Sequence, residues 1–186
     1  LAGITVPDRA SLSLAELTFS TTDALSVHVA EGGAFFAADT VDWNSELNMF
    51  FAGRRLADRF TPMQGHTELD LRPGALGLTG LGSVNWDDWE LTRYEVAFSQ
   101  LATLSVNRLT ADALVVADCS FGGDTPGTLT ESDLRSLTLR DCQGVHVEEC
   151  VFDQSDAQIV LENSIQDVFI RNNVFRGLAH AAVSGS

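Results

Sequence analysis

The densest group of side chains suited to ligand binding lies in the run NWDDWELTRY. Aromatic rings can stack on sugar rings, and carboxylates accept hydrogen bonds from hydroxyl groups. The candidate carbohydrate-binding residues are therefore Trp86, Asp87, Asp88, Trp89 and Tyr94. The alternative, which we favour, is that Trp86 and Trp89 close the hydrophobic core where an N-terminal cap meets the first regular coil.

Other residue types that carry chemistry form no recognisable set. The four histidines are scattered without metal-binding spacing, and no P-loop, dinucleotide fingerprint or nucleophile elbow is present. The cysteines, Cys119, Cys142 and Cys150, contain no CxxC pair, which argues against a zinc site and a disulfide scaffold. Cys119 and Cys150 are expected about one coil apart, near enough for a disulfide, but free buried thiols are the preferred interpretation.

A repeat of short segments fills the second half of the chain. Segments 114–121, 145–152 and 168–175 align without gaps. Their shared columns are Leu114/Val145/Val168, Val116/Val147/Ile170, Cys119/Cys150/Asn173 and Phe121/Phe152/Phe175. A second set interleaves with the first and begins at Leu104, Leu137 and Ile159. The last repeat step is 22 or 23 residues, whereas the earlier steps are 31 and 33, so we predict an inserted loop at Gly122–Ser136.

The alternation of apolar and polar residues predicts half-buried strands, and a repeat of this length is typical of one coil of a β-solenoid. The predicted fold class is all-β, with a right-handed parallel β-helix over residues 99–186. Residues 1–98 are predicted to be a β-rich, less regular cap or a set of divergent coils, continuous with the helix as one domain. The stretch Asn48–Phe60 is expected to form a short capping helix.

The run VHVEECVFDQSDAQIVLENSIQDVFIRNNVFRG resembles the parallel β-helix repeats of pectate-lyase-like proteins and phage tailspikes. The resemblance covers about the last 85 residues and concerns the type of repeat. It implies that clustered aspartates could hold calcium and that an arginine could act as a base. The candidates are Asp118, Asp141, Glu148, Glu149, Asp153, Asp156, Glu162, Asp167, Arg140 and Arg171. Asp118, Glu149 and Asn172 are expected in one column, with Arg140 near Glu162. We favour the interpretation that all of these are outward polar positions, so that no cofactor is needed.

The charge of the chain argues against two classes of binding partner. The net charge is −15, and all 11 basic residues are arginine, which argues against nucleic acid and anionic membranes as partners. No apolar run approaches the length of a membrane span, and no signal peptide is visible. The chain starts at Leu1 and not at Met, so we expect that an upstream segment was removed by processing or that the chain is part of a longer product. The last repeat is expected to leave an uncapped coil end that meets a partner.

Three functions are compatible with these features. The favoured one is a non-catalytic structural or adhesive module of a virion surface, such as a tailspike, fibre or capsid decoration, or of an extracellular assembly. By analogy with β-helical phage proteins, it would form a homotrimer or a larger assembly. The alternatives are a polysaccharide lyase or hydrolase, or a fragment of one, and a module that binds a surface polysaccharide through the Trp86 and Trp89 region.

Overall fold

The fold is a parallel β-solenoid. The computed structural model describes residues 3–122, 124–154, 156–163, 165–177 and 183–185, which form strands and turns and contain no helix. Solenoid coils, about eight in number, take up most of the chain, which confirms the predicted fold class. The chain divides into two compact units, Leu1–Ser83 and Val84–Ser186. The predicted boundary near residue 98 stays a prediction.

The first unit begins with parallel coils. Its strands are β1 (Gly3–Val6), β2 (Ser11–Leu14), β3 (Thr18–Phe19), β4 (Leu25–Val29), β5 (Ala34–Ala37), β6 (Asp42–Trp43), β7 (Leu47–Phe51), β8 (Arg54–Phe60) and β9 (Glu68–Arg72), followed by the start of β10 (Ala75–Ala117). The series β1–β4–β7 pairs in parallel, as do β2 with β5 and β3 with β6. Gly3 pairs with Ser26, and Leu25 pairs with Leu47, so one coil takes about 23 residues.

The chain then reverses direction twice. Strand β8 runs antiparallel to β7, and β9 runs antiparallel to both β5 and the start of β10. The predicted helix at Asn48–Phe60 is therefore wrong, because this stretch is the β7–β8 hairpin. Leu47, Met49 and Phe51 are buried in alternation, which is the period of a strand. Ala52 and Gly53 make the turn at φ values of 49° and 75°, the left-handed geometry of a tight hairpin.

The second unit stacks regular coils. After β10 come β11 (Gly127–Thr130), β12 (Asp133–Arg140), β13 (Val145–Glu148), β14 (Val151–Asp153), β15 (Gln158–Glu162), β16 (Phe169–Arg171), β17 (Val174–Arg176) and β18 (Val183–Gly185). Every pair in this unit that joins two of these strands is parallel. Three series result: β10–β11–β13–β16, β10–β12–β14–β17, and β12–β15–β18. Strands β16, β17 and β18 are here called the last coil.

Like residues stack on like inside the coils. Val106, Leu129 and Val147 form one buried column, and Leu114, Leu137 and Ile159 form another. The rings of Phe152 and Phe175 stack with centroids 4.8 Å apart and planes 12° apart. A parallel sheet spaces its strands by about this distance, so stacked identical side chains fill the interior. The predicted columns that join 145–152 to 168–175, and the pairing of Leu137 with Ile159, are confirmed.

The register predicted for residues 104–121 is wrong. Leu114 pairs with Leu137 rather than with Val145, and Val106 pairs with Leu129. The predicted loop Gly122–Ser136 therefore contains strand β11 and the start of β12. Only the residues between Phe121 and Gly127 are inserted, and they hold a turn in which the Thr125 amide donates to the Gly122 carbonyl at 3.0 Å.

A left-handed residue marks a corner of successive coils. Arg108, Glu131, Glu149 and Asn172 have φ values of 52°, 48°, 57° and 57°. Polar side chains that follow two of these residues satisfy backbone amides at the corner. The Ser132 hydroxyl accepts from the Leu109 amide at 3.1 Å, and the Asn173 side chain accepts from the Cys150 amide at 2.9 Å. A second corner has Asp118, Asp141 and Asn163 in the same conformation.

Candidate functional site

The predicted aromatic cluster separates into a buried part and a surface part. Trp86 is 1% exposed and Trp89 is 5% exposed. Their rings stack with centroids 4.8 Å apart, and Trp86 also meets the edge of Phe98 at 5.0 Å. Both indoles are therefore packed in the core of the second unit.

The acidic members of the cluster lie at the surface. The Asp87 carboxylate accepts hydrogen bonds from Asn107 and Arg108 at 2.8 and 2.9 Å, and Asp88 lies 3.9 Å from Arg108. Tyr94 is half-buried. Asp87 is thus joined to the neighbouring stretch of β10 through two polar side chains. Carbohydrate binding by these five residues stays a prediction.

Both arginines that the resemblance singled out pair with one of its candidate carboxylates on an adjacent coil. Arg140 donates to Glu162 at 2.7 Å, as predicted, and Arg171 contacts Glu148 at 2.7 Å. These hydrogen bonds, followed by the charge of each carboxylate, raise the pKa of both arginines. An arginine held in this way is a poor base, so these pairs act as outward ion-pair ladders.

One of the predicted acidic columns has a different composition. Glu149 and Asn172 share a corner, as expected, but Asp118 lies at the second corner. There the Asp118 amide donates to the Arg140 carbonyl at 3.0 Å. On the next coil the Asn163 side chain donates to Asp141 at 2.9 Å. Within the described residues, no group of three or more His, Cys, Asp or Glu side chains could hold a metal ion.

Arg135 pairs with two carboxylates on adjacent coils, an arrangement that the sequence pattern did not reveal. Its guanidinium contacts Asp112 on the preceding coil at 2.8 Å and Asp156 on the following coil at 3.2 Å. The hydrogen bond to Asp112 raises the pKa of Arg135. A shallow groove of about 220 Å³ runs past this cluster, and Thr110, Asp133, Asp153 and Gln154 are among its lining residues. The spacing of one coil between Asp112 and Arg135 would have revealed the pair once the register was known.

The three cysteines occupy two different corners. Cys119 and Cys142 follow the left-handed Asp118 and Asp141, whereas Cys150 follows Glu149. The expected stacking of Cys119 on Cys150 is therefore wrong, and all three thiols are free and buried. Burial raises the pKa of Cys119 and of Cys150 to about 11 and raises that of Cys142 as well. These thiols are protonated at neutral pH and are poor nucleophiles.

The last coil is less covered than the coil before it. Phe152 and Ile159 are fully buried, whereas Phe175 is half-buried and Val183 is 46% exposed in the same two columns. Phe169 and Val174 expose 54% and 44% of their surface, but they lie in outward columns with the half-buried His146 and Val151. Among the described residues, β16, β17 and β18 each pair with a strand on one side only. The last coil therefore presents a half-open apolar interior bordered by free strand edges.

A second surface feature missed from the sequence is Phe36. In the run AFFA of β5, Phe35 is buried in the core and Phe36 faces outward with 36% of its surface exposed. Two consecutive phenylalanines give no sequence signal for which one is inside. Alternation from the buried Ala37 would have identified Phe36 as the outward residue.

Comparisons with known proteins assign this chain to no family. No protein-family model, no curated protein and no solved structure matches it. In the described part of the chain, no helix is long and apolar enough to cross a membrane. The resemblance to β-helix repeat proteins therefore holds for the solenoid alone, and the function has to be argued from the surfaces described above.

Proposed function

We propose that this chain is a non-catalytic structural or adhesive solenoid module that assembles through its last coil. The observation that carries the proposal is the contrast between two neighbouring coils. Phe152 and Ile159 are fully buried, and their counterparts Phe175 and Val183 are not. Covering these side chains with one more coil would remove apolar surface from water, which is the main favourable term in protein association.

A second copy of the chain is the partner that we favour. The first coil, β1 to β3, also pairs on one side only among the described residues. Strands β1–β3 of a second copy would pair with the free edges of β16–β18. Such a head-to-tail contact is heterologous and continues into longer assemblies. A virion surface or an extracellular assembly is the setting in which a repeating rigid element of this kind is useful.

The outer surface supports a scaffold role. Arg135, Arg140 and Arg171 each bind a carboxylate on an adjacent coil, so a chain of net charge −15 neutralises part of its own repulsion along the stack. Carboxylates used in this way hold coils together and do not converge on one reacting atom. This favours the structural module over the polysaccharide lyase or hydrolase.

Sedimentation velocity over a hundredfold range of protein concentration tests the proposal. We expect the 186-residue chain to form oligomers and the double variant Val174→Lys, Val183→Lys to sediment as a monomer, because charged side chains block pairing at a sheet edge. The control is Met63→Lys, which changes a comparably exposed apolar residue in the first unit and should assemble like the wild type. A wild-type chain that stays monomeric throughout would overturn the proposal.

A further inference from the structure

The outward face of β2, β5 and β9 carries one exposed aromatic ring beside one ion pair. Phe36 pairs with Asp70 across the β5–β9 ladder, so the two side chains stand next to each other on the same face. Asp70 and Arg72 contact each other at 3.0 Å between carboxylate and guanidinium. The three side chains border a shallow depression of about 350 Å³, which Ser11, Ala34 and Phe35 also line.

Small residues keep this face low on either side of the Phe36–Asp70 pair. Ser13 pairs with Phe36 on the β2 side, and Gly77 pairs with Asp70 on the β10 side. The Phe36 ring is therefore the one large apolar group in the depression that solvent reaches, since Phe35 belongs to the core. The arrangement combines an apolar platform with a few orienting polar groups, as small-ligand sites do.

We propose that Phe36, Asp70 and Arg72 form a binding subsite for one ring of a neutral polysaccharide. A sugar ring has an apolar face of C–H groups that can lie on the Phe36 ring, and hydroxyls at its rim. Paired side chains on adjacent strands are about 5 Å apart, so a ring seated on Phe36 brings its hydroxyls within reach of Asp70 and Arg72. The carboxylate accepts hydrogen bonds from hydroxyls, and the guanidinium donates to hydroxyl oxygens.

The charge of the chain selects the class of glycan. A net charge of −15 repels polyanions such as uronate polymers. The positive charge of Arg72 is neutralised by its ion pair with Asp70. Neutral glycans meet no such repulsion. The subsite lies in the first unit, whereas the proposed assembly rests on the last coil, so either proposal can fail without the other.

Affinity electrophoresis in gels that contain dextran, galactomannan or β-glucan tests the subsite, with polygalacturonate as the acidic contrast. We expect the wild type to be retarded by at least one neutral polymer. Phe36→Ala should weaken that binding about tenfold or more, Asp70→Asn should weaken it less, and Phe36→Trp should preserve it, because a larger ring keeps the platform. Met63→Ala is the matched control, since Met63 is similarly exposed in the same unit.

Circular dichroism and sedimentation of each variant separate binding from folding and assembly. Phe36→Ala should keep the wild-type spectrum and oligomeric state. The proposal is overturned if no neutral polymer retards the wild type, if Phe36→Ala binds as well as the wild type, or if only polygalacturonate binds. If Phe36→Ala unfolds, Phe36→Trp and Asp70→Asn decide, and equal loss of binding in the Met63→Ala control would contradict the assignment.

Discussion

Arg135 donates two parallel hydrogen bonds to the Asp112 carboxylate, from Nε at 2.9 Å and from a terminal nitrogen at 2.8 Å. Bidentate pairs of this geometry are the strongest of the side-chain ion pairs. Because Asp112 lies in β10 and Arg135 in β12, the contact ties one coil to the next. A third residue, Asp156, extends the same bridge to the following coil at 3.2 Å.

Breaking this bridge should destabilise the solenoid. We expect Arg135→Gln to lower the free energy of unfolding by about 1 kcal/mol, near the top of the range for surface ion pairs, because both partners are two-thirds shielded from solvent. The measurement is urea unfolding at low salt. Arg9→Gln, which removes a fully exposed arginine 3.5 Å from Asp8, should change stability far less. If Arg135→Gln lowered the free energy of unfolding no more than Arg9→Gln does, the bridge would not stabilise the fold.

The buried hydroxyl of Ser132 should matter more than a surface hydroxyl. It accepts from the Leu109 amide at 3.1 Å and donates to the Thr130 carbonyl at 2.8 Å, at a corner with 1% exposure. Ser132→Ala leaves a buried amide without a partner, so we expect a loss of about 1–3 kcal/mol in the free energy of unfolding. Ser105→Ala, on the exposed face of β10, is the control and should be nearly neutral. A neutral Ser132→Ala would contradict this role for the corner hydroxyl.

The left-handed corners predict an unusual benefit of glycine. Glu149 has a φ of 57°, a conformation that costs an ordinary L-residue about 1–2 kcal/mol and costs glycine nothing. We expect Glu149→Gly to be neutral or stabilising in thermal unfolding. Glu148→Gly, one residue earlier in β13, should destabilise, because it removes the ion pair with Arg171 and loosens a strand. The reverse order of stability would contradict the corner geometry.

Much of the solenoid could be predicted from the sequence, but the register of its earlier coils could not. The columns of Phe152 with Phe175 and Leu137 with Ile159 were predictable because those coils have nearly equal lengths. The alignment failed at Cys119, which the sequence matched to Cys150. Both cysteines follow a left-handed residue at a corner, Asp118 or Glu149. The two corners present the same local chemistry, so the sequence alone does not distinguish them.

Coil length explains the remaining error. Strand β12 is continuous over eight residues and covers two sides of its coil, pairing with both β14 and β15. The next coil instead makes a turn at Gln154–Ala157 between those sides. The extra residues of successive coils therefore lie at different corners. A gapless alignment cannot follow this change, and it assigned β11 and the start of β12 to an inserted loop. The ion pair of Arg135 with Asp112 depends on this register, which is why the sequence did not reveal it.

The buried thiols predict a loss of stability in alkali. Cys119 and Cys150 have a pKa of about 11 in the folded protein and about 9 when exposed. Between these values the unfolded chain releases protons that the folded chain keeps, so the free energy of unfolding should fall as the pH rises from 9 to 11. Below pH 9 the thiols contribute no such dependence. No lysine titrates in this window, because the chain has none.

Urea unfolding at pH 8, 9, 10 and 11 measures this effect. The double variant Cys119→Ala, Cys150→Ala is the comparison, and it should show a shallower decline than the wild type even though it starts from a lower stability. Parallel pH profiles in the two proteins would assign the alkaline decline to other groups.

Hydrogen exchange at the last coil tests assembly most directly. Alternate amides of β16 and β17 point away from β13 and β14, the strands with which they pair. In the proposed assembly, these amides would donate hydrogen bonds to a strand of a second copy. We expect these amides to be protected at high protein concentration and to exchange rapidly on dilution. Amides of β13, which pairs with β11 and β16, should be protected at every concentration. Exchange rates at β16 and β17 that do not change with concentration would contradict assembly through the last coil.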